Sequence, residues 1–388
     1  MVVNGKSPAL HNVTVQRVLY VLLSIAAVIS VARGLQNAVL QSQDMQWSPM
    51  VVFWRTNLDP YQVLLQDPHT PRYILSQGPN NLHYLFFLLA PLGFVSFTAA
   101  KIIWAGANVA FLAATLWIFH RQKNIAMPFA LALVFLCATP TRNALGNGQL
   151  SLFCLFFFAL YLQSAERRPL LAAMFASLGA AKYSLGVPLF FQMRLTPLNI
   201  AAFGAVPLAA VVYWCLHFQL GFFDALFLPI RVATFTVGPR VGVGDFLMVV
   251  RGAGLPPLAA DAVVAAVLVV MVLLQKAFLS TEDRLLNFAF YAMLSLWLVY
   301  HGSYDFVFLL PVAVAAIRSR NGIVRSGLIA GIAYFWFAAK ALQDFLSIAP
   351  PLEFNLAVLI LMQALVAWEI RMNAAAAKPA IEARAFSA

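Results

Sequence analysis

Two carboxylates stand in the first polar segment that follows the opening apolar run of the sequence. Asp44 lies in the run Ser-Gln-Asp-Met-Gln-Trp, and Asp59 opens the later run Asp-Pro-Tyr. The stretch between them, about 48–58, is aromatic and amphipathic, which suits a membrane interface. A carboxylate held near such a surface is partly desolvated, so its pKa rises towards the range of a general base. Asp44 is therefore a candidate base, although both acids also suit helix caps or turns, and Asp59 suits a turn best.

Two further segments combine cations with backbone that suits anions. A turn rich in glycine and asparagine begins with Arg142 and ends with Gln149. Glycine lets the backbone turn sharply, and free N–H groups at a helix start suit an anion, but such a turn is also ordinary loop chemistry. Lys182 lies in a break between two short apolar segments, where an ammonium is costly to bury. It either reaches the surface or binds an anionic group.

His301 and Asp305 stand four residues apart, at the junction of two predicted spans. This spacing lets both side chains face one way on a helix. A zinc site needs further ligands, and the sequence offers no other cluster of histidine, cysteine and acids, so no metal is predicted. The pair either contacts a phosphate or sugar, or consists of an interfacial histidine and an acid that caps the next helix.

Three arginines, Arg231, Arg240 and Arg251, lie in a loop that is predicted to be outside the cell. Basic residues in outer loops run against the usual bias towards the cytoplasm. They are therefore candidates for binding a phosphate head group, with a merely solvated loop as the alternative.

The composition requires a lipid environment for the elements that hold these residues. Of 388 residues, 62% are hydrophobic and 10% are charged, whereas a soluble domain has about a quarter charged residues. The net charge of +11 would suggest nucleic acid in a soluble protein. Here the basic residues fall in short loops between apolar runs, so they set the topology and no nucleic-acid partner is predicted. Cys137, Cys154 and Cys215 lie in or beside apolar runs and predict neither disulfides nor metal binding.

The sequence predicts an all-α polytopic membrane protein, a single bundle over 1–372 of about 12 transmembrane helices with short amphipathic helices in its outer loops. The predicted spans are 16–36, 101–119, 126–140, 149–164, 170–181, 184–194, 198–217, 259–275, 284–300, 304–318, 325–341 and 353–371. The first span has no cleavage site and is predicted to be a signal anchor. The Lys/Arg loops place both termini in the cytoplasm.

The polar face of the bundle is predicted to be extracytoplasmic. Two long outer loops, about 37–81 and 218–258, carry Asp44, Asp59, Tyr61 and the three arginines, and Asp44, Gln149 and His301 are expected to be accessible from outside. Segment 82–97 is predicted to be a shallow or re-entrant helix on this side, since a full crossing would reverse every later loop. Residues 373–388 are predicted to be a disordered cytoplasmic tail.

An outer face with acids, cations and aromatics above a lipid-facing bundle suits a polar head group on a lipid phosphate. The sequence has no dinucleotide or P-loop motif and no haem-ligand pair, so no cofactor is predicted. A transporter or flippase for a lipid-linked or anionic substrate is the alternative, although its ionisable residues should lie near span midpoints. A non-catalytic scaffold for envelope assembly is a third possibility.

A set of short motifs in a fixed order resembles glycosyltransferase family 87 of the GT-C membrane superfamily. The motifs cover most of 30–315 and are Asp44 with Asp59-Pro60-Tyr61, Gln77–Leu82 leading to Ala90-Pro91-Leu92, Lys101–Trp104, Gly148–Leu152, Ala181–Pro188, and Tyr304-Asp305 with Leu310-Pro311. Where the family usually has Gly-Gln-x-Asn, this chain has Gly148-Gln149-Leu150-Ser151. Its usual Tyr-Pro-Pro is here Gln77-Gly78-Pro79-Asn80.

The resemblance implies an inverting transfer of a hexose, typically mannose, from a polyprenyl phosphate to an acceptor hydroxyl. The acceptor would be a lipid or glycan at the outer face of the plasma (inner) membrane. The position that matches the family's catalytic acid is Asp44, as general base, and His301 lies near the family's functional histidine region. The expected substrate contacts are Asp59, Tyr61, Arg142, Gln149, Lys182, Arg231, Arg240, His301, Tyr304 and Asp305.

Overall fold

The computed structural model describes residues 8–41, 49–67, 79, 81–122, 125–236, 243–279 and 281–385. Asp44 and Arg240 lie outside these ranges. Every regular element within them is helical.

The first half of the chain forms α1 (Pro8–Gln36, continued by a π-helical turn Asn37–Gln41), α2 (Pro49–Thr56), α3 (Pro60–Gln66), α4 (Tyr84–Leu88), α5 (Ala90–Phe94), α6 (Phe97–Arg121), α7 (Phe129–Cys137), α8 (Thr139–Gly146), α9 (Ser151–Ser164), α10 (Pro169–Gly179) and α11 (Tyr183–Phe190). The second half forms α12 (Pro197–Phe218), α13 (Phe222–Thr236), α14 (Phe246–Gly252), α15 (Pro257–Phe278), α16 (Arg284–Leu298), a 3₁₀ segment (Ser303–Leu309), α17 (Leu310–Arg318), α18 (Gly322–Ala333, continued by a π-helical turn Tyr334–Ala338), α19 (Ala339–Leu346) and α20 (Leu352–Ala385).

Six helices of the described chain are long and apolar enough to cross a bilayer. They are Thr14–Gln41, Phe97–Arg121, Pro197–Phe218, Pro257–Phe278, Gly322–Leu346 and Leu352–Ala375. A seventh crossing is possible through α7 and α8, which bend by 59° at their junction. The prediction of an all-helical polytopic membrane protein is thus confirmed, and the total of about 12 spans stays a prediction.

The helix ends gather at two opposite faces of the bundle. At one face, here called the loop face, the end of α1 meets the end of α8 through Asn37 and Asn147, and α12 meets the residues before α3 through Trp214 and Asp59. At the other face, here called the basic face, Gln122 after α6 contacts Leu162 in α9. The basic face also carries Arg284 beside Glu166 and Arg318 beside Asp283. Loops that the sequence assigned to one side therefore meet on one side.

Several helices near the centre of the bundle are much shorter than the hydrocarbon layer. At about 1.5 Å per residue, α9 with 14 residues spans about 21 Å and α10 with 11 residues about 16 Å, against roughly 30 Å of hydrocarbon. Gly148, just before α9, accepts a hydrogen bond from Trp104, which lies well inside α6. The loop face is therefore recessed where α9, α10 and α11 meet.

The segment at 82–97 forms α4 and α5, which have five residues each and are separately too short to cross. They pack under α2, where Trp54 Nε1 donates to the carbonyl of Phe86 and Arg55 Nε donates to that of Gly93. The shallow or re-entrant placement of this segment in the membrane stays a prediction. At the other end of the chain, α20 continues to Ala385 through residues expected to be disordered, since alanine has the highest helix propensity.

Candidate active site

A buried charge cluster lies at the bottom of the recessed loop face, and we define it as Ser151, Lys182, His301 and Asp305. Asp305 is fully buried, and its Oδ1 accepts a hydrogen bond from Ser151 Oγ at 2.5 Å. Its Oδ2 lies 2.5 Å from Lys182 Nζ and 2.9 Å from His301 Nδ1. Ser151 begins α9, Lys182 precedes α11, and the other two flank the start of the 3₁₀ segment. The fold thus brings three side chains from three separated segments onto the Asp305 carboxylate.

Two contacts fix the ring of His301. Its Nδ1 faces the Asp305 carboxylate, and its Nε2 lies 2.8 Å from the carbonyl oxygen of Ser295. Both neighbours are hydrogen-bond acceptors, so the ring is held between the 3₁₀ segment and α16. Lys182 supplies the ammonium that pairs with the Asp305 carboxylate.

Close backbone packing holds Lys182 in place. The turn between α10 and α11 carries Lys182, and α11 packs on that turn through Gly186. A Cβ on Gly186 would lie 2.4 Å from the Cβ of Ala180, so no larger residue fits without moving the turn. Gly148 has φ +58°, a left-handed conformation that favours glycine, and it sets the start of α9 at Ser151.

An apolar pocket of about 310 Å³ adjoins the cluster, bounded by α11, α13, α14, α15 and the chain from Leu298 to Tyr304. Its walls are mostly aliphatic, and its polar lining includes Asn81, Lys182, Arg251 and Asp261. Lys182 Nζ lies 4.6 Å from the centre of the Tyr304 ring, a cation–π contact at the boundary between pocket and cluster.

Arg251 is the second cation of the apolar pocket. Its Nη2 donates to Asp261 at 2.9 Å, and its Nε is buried with no hydrogen-bond partner in the described part of the chain. A buried, unpartnered N–H facing a pocket carries a large desolvation cost, which a bound acceptor would remove. The pocket therefore suits an amphiphile with an anionic head.

A second cavity lies at the loop face, beside the end of α1, and has a volume of about 640 Å³. It is here called the basic cleft, and it does not belong to the basic face. Its lining includes Arg33, Gln41, Arg142 and Lys340. The basic cleft and the apolar pocket lie on either side of the chain at 300–304. Tyr300 and Tyr304 line the pocket, while Ser303 accepts a hydrogen bond from Asn143 of the cleft.

Asp59 and Tyr61 occupy a different environment from the charge cluster. The Asp59 carboxylate caps α3 by accepting from the backbone N–H groups of Tyr61 and Gln62, and it also accepts from Trp214 Nε1 at 3.1 Å. Burial raises the pKa of Asp59, while the hydrogen bond from Trp214 opposes that shift. The Tyr61 hydroxyl donates to the carbonyl of Asn81. Neither residue lines the apolar pocket or the basic cleft, and both fix α3 to α12.

Two expectations about exposure and capping are corrected by the structure. Gln149 and His301, expected to be accessible, are 0% and 1% exposed because α9 and the 3₁₀ segment sit deep in the bundle. Asp305, expected as a possible helix cap, lies inside the 3₁₀ segment and binds Lys182. Arg231 lies on α13, pairs with exposed Asp224 and does not line the apolar pocket, and its role as a phosphate contact stays a prediction.

Two polar residues of this region were not singled out from the sequence. Ser151 takes the place of the family's asparagine and supplies a donor to Asp305, which an asparagine amide could also do. Asp245 is buried, caps α14 by accepting from the N–H of Met248, and lies near His301. Its signal was present, because an acid directly before an apolar helix is a typical N-cap. The described residues contain no group of three or more histidines, cysteines and acids that could hold a metal ion.

Comparison with known families shows which family the chain belongs to. Residues 84–301, more than half of the 388, match glycosyltransferase family 87. The chain belongs to this family. No curated protein and no solved structure matches it. The matched region of this family-87 glycosyltransferase contains Ser151, Lys182 and His301, and Asp305 follows directly after it. The resemblance noted from short motifs is thereby confirmed, and the motifs around Gly148, Lys182 and Asp305 meet in the buried charge cluster.

Proposed function

We propose that the protein is a hexosyltransferase that moves mannose from a polyprenyl-phosphate sugar to a hydroxyl of a lipid or glycan acceptor. The transfer inverts the anomeric centre and takes place at the loop face, which is the extracytoplasmic side of the plasma membrane. The observation that carries the proposal is the apolar pocket, whose mostly aliphatic lining also contains the cations Lys182 and Arg251.

The donor suits the apolar pocket. An isoprenoid chain matches its aliphatic walls, and the phosphate matches the two cations of its lining. Lys182 belongs to the buried charge cluster, and its ammonium stabilises the negative charge that develops on a departing phosphate. Because the cluster is buried and held by hydrogen bonds, its charges need no rearrangement as the bond breaks.

The acceptor suits the basic cleft. Arg33, Arg142 and Lys340 line it, and with its hydroxyl directed towards Ser303 the acceptor would meet the sugar across the chain at 300–304. Gln41 also lines the cleft, and Asp44 follows it by three positions in the sequence. Asp44, which lies outside the described residues, is the proposed general base.

The reaction proceeds in one step. The acceptor oxygen forms a bond to the anomeric carbon while the bond from that carbon to the phosphate oxygen breaks, and its electron pair leaves with the polyprenyl phosphate. Asp44 takes the hydroxyl proton as the acceptor oxygen attacks. Lys182 and Arg251 hold the leaving phosphate.

The test is sugar transfer by purified protein in lipid vesicles with labelled polyprenyl-phosphate mannose. Asp44→Asn removes the base and should reduce the rate by about 10²–10⁴-fold. Asp224→Asn is the matched control, since Asp224 is an exposed acid on the same face, and it should retain the wild-type rate. Folding of each variant is checked by its elution from a size-exclusion column.

Full activity in Asp44→Asn would remove its assignment as base, and loss in Asp59→Asn alone would move it there. A wild-type protein that transfers no sugar but carries the donor across the vesicle membrane would instead identify a transporter.

A further inference from the structure

A large cavity opens at the basic face, away from the proposed reaction. It has a volume of about 870 Å³, within the usual range of small-molecule sites. It lies between the α9–α10 turn, the connection from α11 to α12, and the ends of α15 and α16. Arg194, Lys276 and Arg284 supply three cations, and Glu166 and Glu282 supply two acids.

The floor of this basic-face cavity contains an unpartnered donor. Gln192 is 7% exposed, and its Nε2 has no hydrogen-bond partner in the described part of the chain. Its backbone carbonyl is held by the Tyr161 hydroxyl and by Asn287 Nδ2. A buried amide N–H without an acceptor costs free energy, and a ligand oxygen in the cavity would satisfy it.

Three helices begin at the cavity. Pro169 of α10, Asn199 of α12 and Arg284 of α16 belong to first turns that line it. Helix N-termini carry partial positive charge and favour anions. Asp283 caps α16 and Thr196 caps α12, so α10, which has no side-chain cap, adds most to the attraction of the cations.

The cations outnumber the acids at this cavity. Glu166 lies 3.6 Å from Arg284 and offsets its charge. Arg194 and Lys276 form no ion pair with the residues that the structure describes, and both are exposed. Exposed Glu282 balances one of these two charges, so the lining keeps an excess of one positive charge beside the neutral donor of Gln192.

We propose that the basic-face cavity binds a phosphate group, carried either by the head group of an anionic phospholipid or by a soluble phosphate compound. Arg194 and Lys276 pair with the phosphate charge, and Gln192 donates to one of its oxygens. The site stands apart from the sugar transfer and does not depend on its assignment.

The test measures binding to the full-length protein. Purified protein in a neutral detergent is titrated with sodium pyrophosphate, and a parallel sample is titrated with phosphatidylglycerol, each followed by thermal shift. Native mass spectrometry counts the retained lipids. Saturation with pyrophosphate identifies a site open to soluble phosphates, and saturation with phosphatidylglycerol alone identifies a lipid head group.

Two cavity variants and one matched control test whether the phosphate binds in the basic-face cavity. Arg194→Gln/Lys276→Gln should weaken binding by about tenfold or more, because it removes both cations that pair with the phosphate. Gln192→Leu should weaken it several-fold. The control Arg320→Gln/Arg325→Gln removes two exposed cations of the same face outside the cavity lining and should bind as the wild type does.

The proposal fails if neither probe gives saturable binding to the wild type, or if the control loses as much affinity as the cavity variant. Because Arg194 and Lys276 are exposed, their replacement tests the site even if Gln192→Leu does not fold.

Discussion

Asp305 accepts from Ser151, Lys182 and His301, and this convergence explains why a lysine can lie in the interior of a membrane bundle. An isolated ammonium there would be costly, whereas a hydrogen-bonded carboxylate at 2.5 Å compensates its charge. The side chain of Lys182 is 12% exposed, and this exposed part lines the apolar pocket. One residue thus links the stability of the cluster to the chemistry of the pocket.

Two variants distinguish the structural role of Lys182 from its proposed role in holding the phosphate. The first replaces Lys182 alone, and the second replaces Lys182 together with Asp305. Lys182→Met leaves a buried, partly uncompensated carboxylate and should destabilise the protein by about 3–5 kcal/mol. Lys182→Met/Asp305→Asn removes both charges and should recover most of that stability. Sugar transfer should stay about 10²–10³-fold below wild type in both variants, because the cation that holds the phosphate is missing.

The measurement is the unfolding temperature in detergent beside the transfer rate in vesicles. If the double variant recovers the rate together with the stability, Lys182 is structural and the donor site is elsewhere.

Sequence reasoning found Lys182, His301 and Asp305 separately but could not join them. The Lys182–Asp305 contact spans 123 positions in the chain, and no local pattern encodes a contact of that separation. Asp59 was the opposite case, since the Asp-Pro pair predicted a local turn and the structure shows a local cap. Local roles were predictable, and the assembled cluster was not.

At the scale of the element, α14 connects the outer loop to the pocket. Its first residues follow the Asp245 cap, and its body supplies Leu247, Met248 and Arg251 to the pocket lining. Burial raises the pKa of Asp245 to about 6, while the hydrogen bond from the N–H of Met248 opposes that rise. The ionised form of the Asp245 carboxylate is therefore destabilised in the folded protein.

This raised pKa predicts a pH dependence of stability. The folded protein holds the Asp245 proton more tightly than the unfolded chain, whose aspartate pKa is about 3.9. Stability from this group is therefore full below about pH 4 and is lost as the pH rises through about 6. Asp245→Asn keeps an acceptor for the N–H of Met248 and removes the charge, so it should stabilise the protein at pH 8 and have little effect at pH 4.5.

Unfolding temperatures of the wild type and of Asp245→Asn across pH 4.5–8 measure this pH dependence of stability. Asp224→Asn serves as the exposed control. A gap between wild type and Asp245→Asn that does not change with pH would contradict the raised pKa.

At this scale, the sequence predicted where the long helices lie along the chain but not how deep the short helices lie in the bundle. The long spans were predicted closely, because a continuous apolar run of about 20 residues has one common interpretation. The short helices α9, α10 and α11 follow the predicted segments 149–164, 170–181 and 184–194, but their recessed position depends on packing against neighbours such as Trp104. Hydropathy does not report depth, so it could not predict that Gln149 and His301 are buried.

At the scale of the molecule, the proposed chemistry needs the loop face outside the cell. In a background without Cys137, Cys154 and Cys215, Arg231→Cys should react with an impermeant maleimide in intact cells, since its side chain is 53% exposed on that face. Arg325→Cys, exposed on the basic face, should react only after the membrane is opened. The reverse result would place the charge cluster on the cytoplasmic side and contradict the proposed donor and acceptor geometry.

The short central helices have a consequence for how a lipid carrier meets the enzyme. With α9 about 21 Å long against a hydrocarbon layer of roughly 30 Å, the buried charge cluster lies below the level of the longer helix ends. In the proposed reaction, the polyprenyl tail of the donor would stay among the acyl chains while its phosphate enters this recess from the side. The proposed donor would then reach the cluster without leaving the membrane for water.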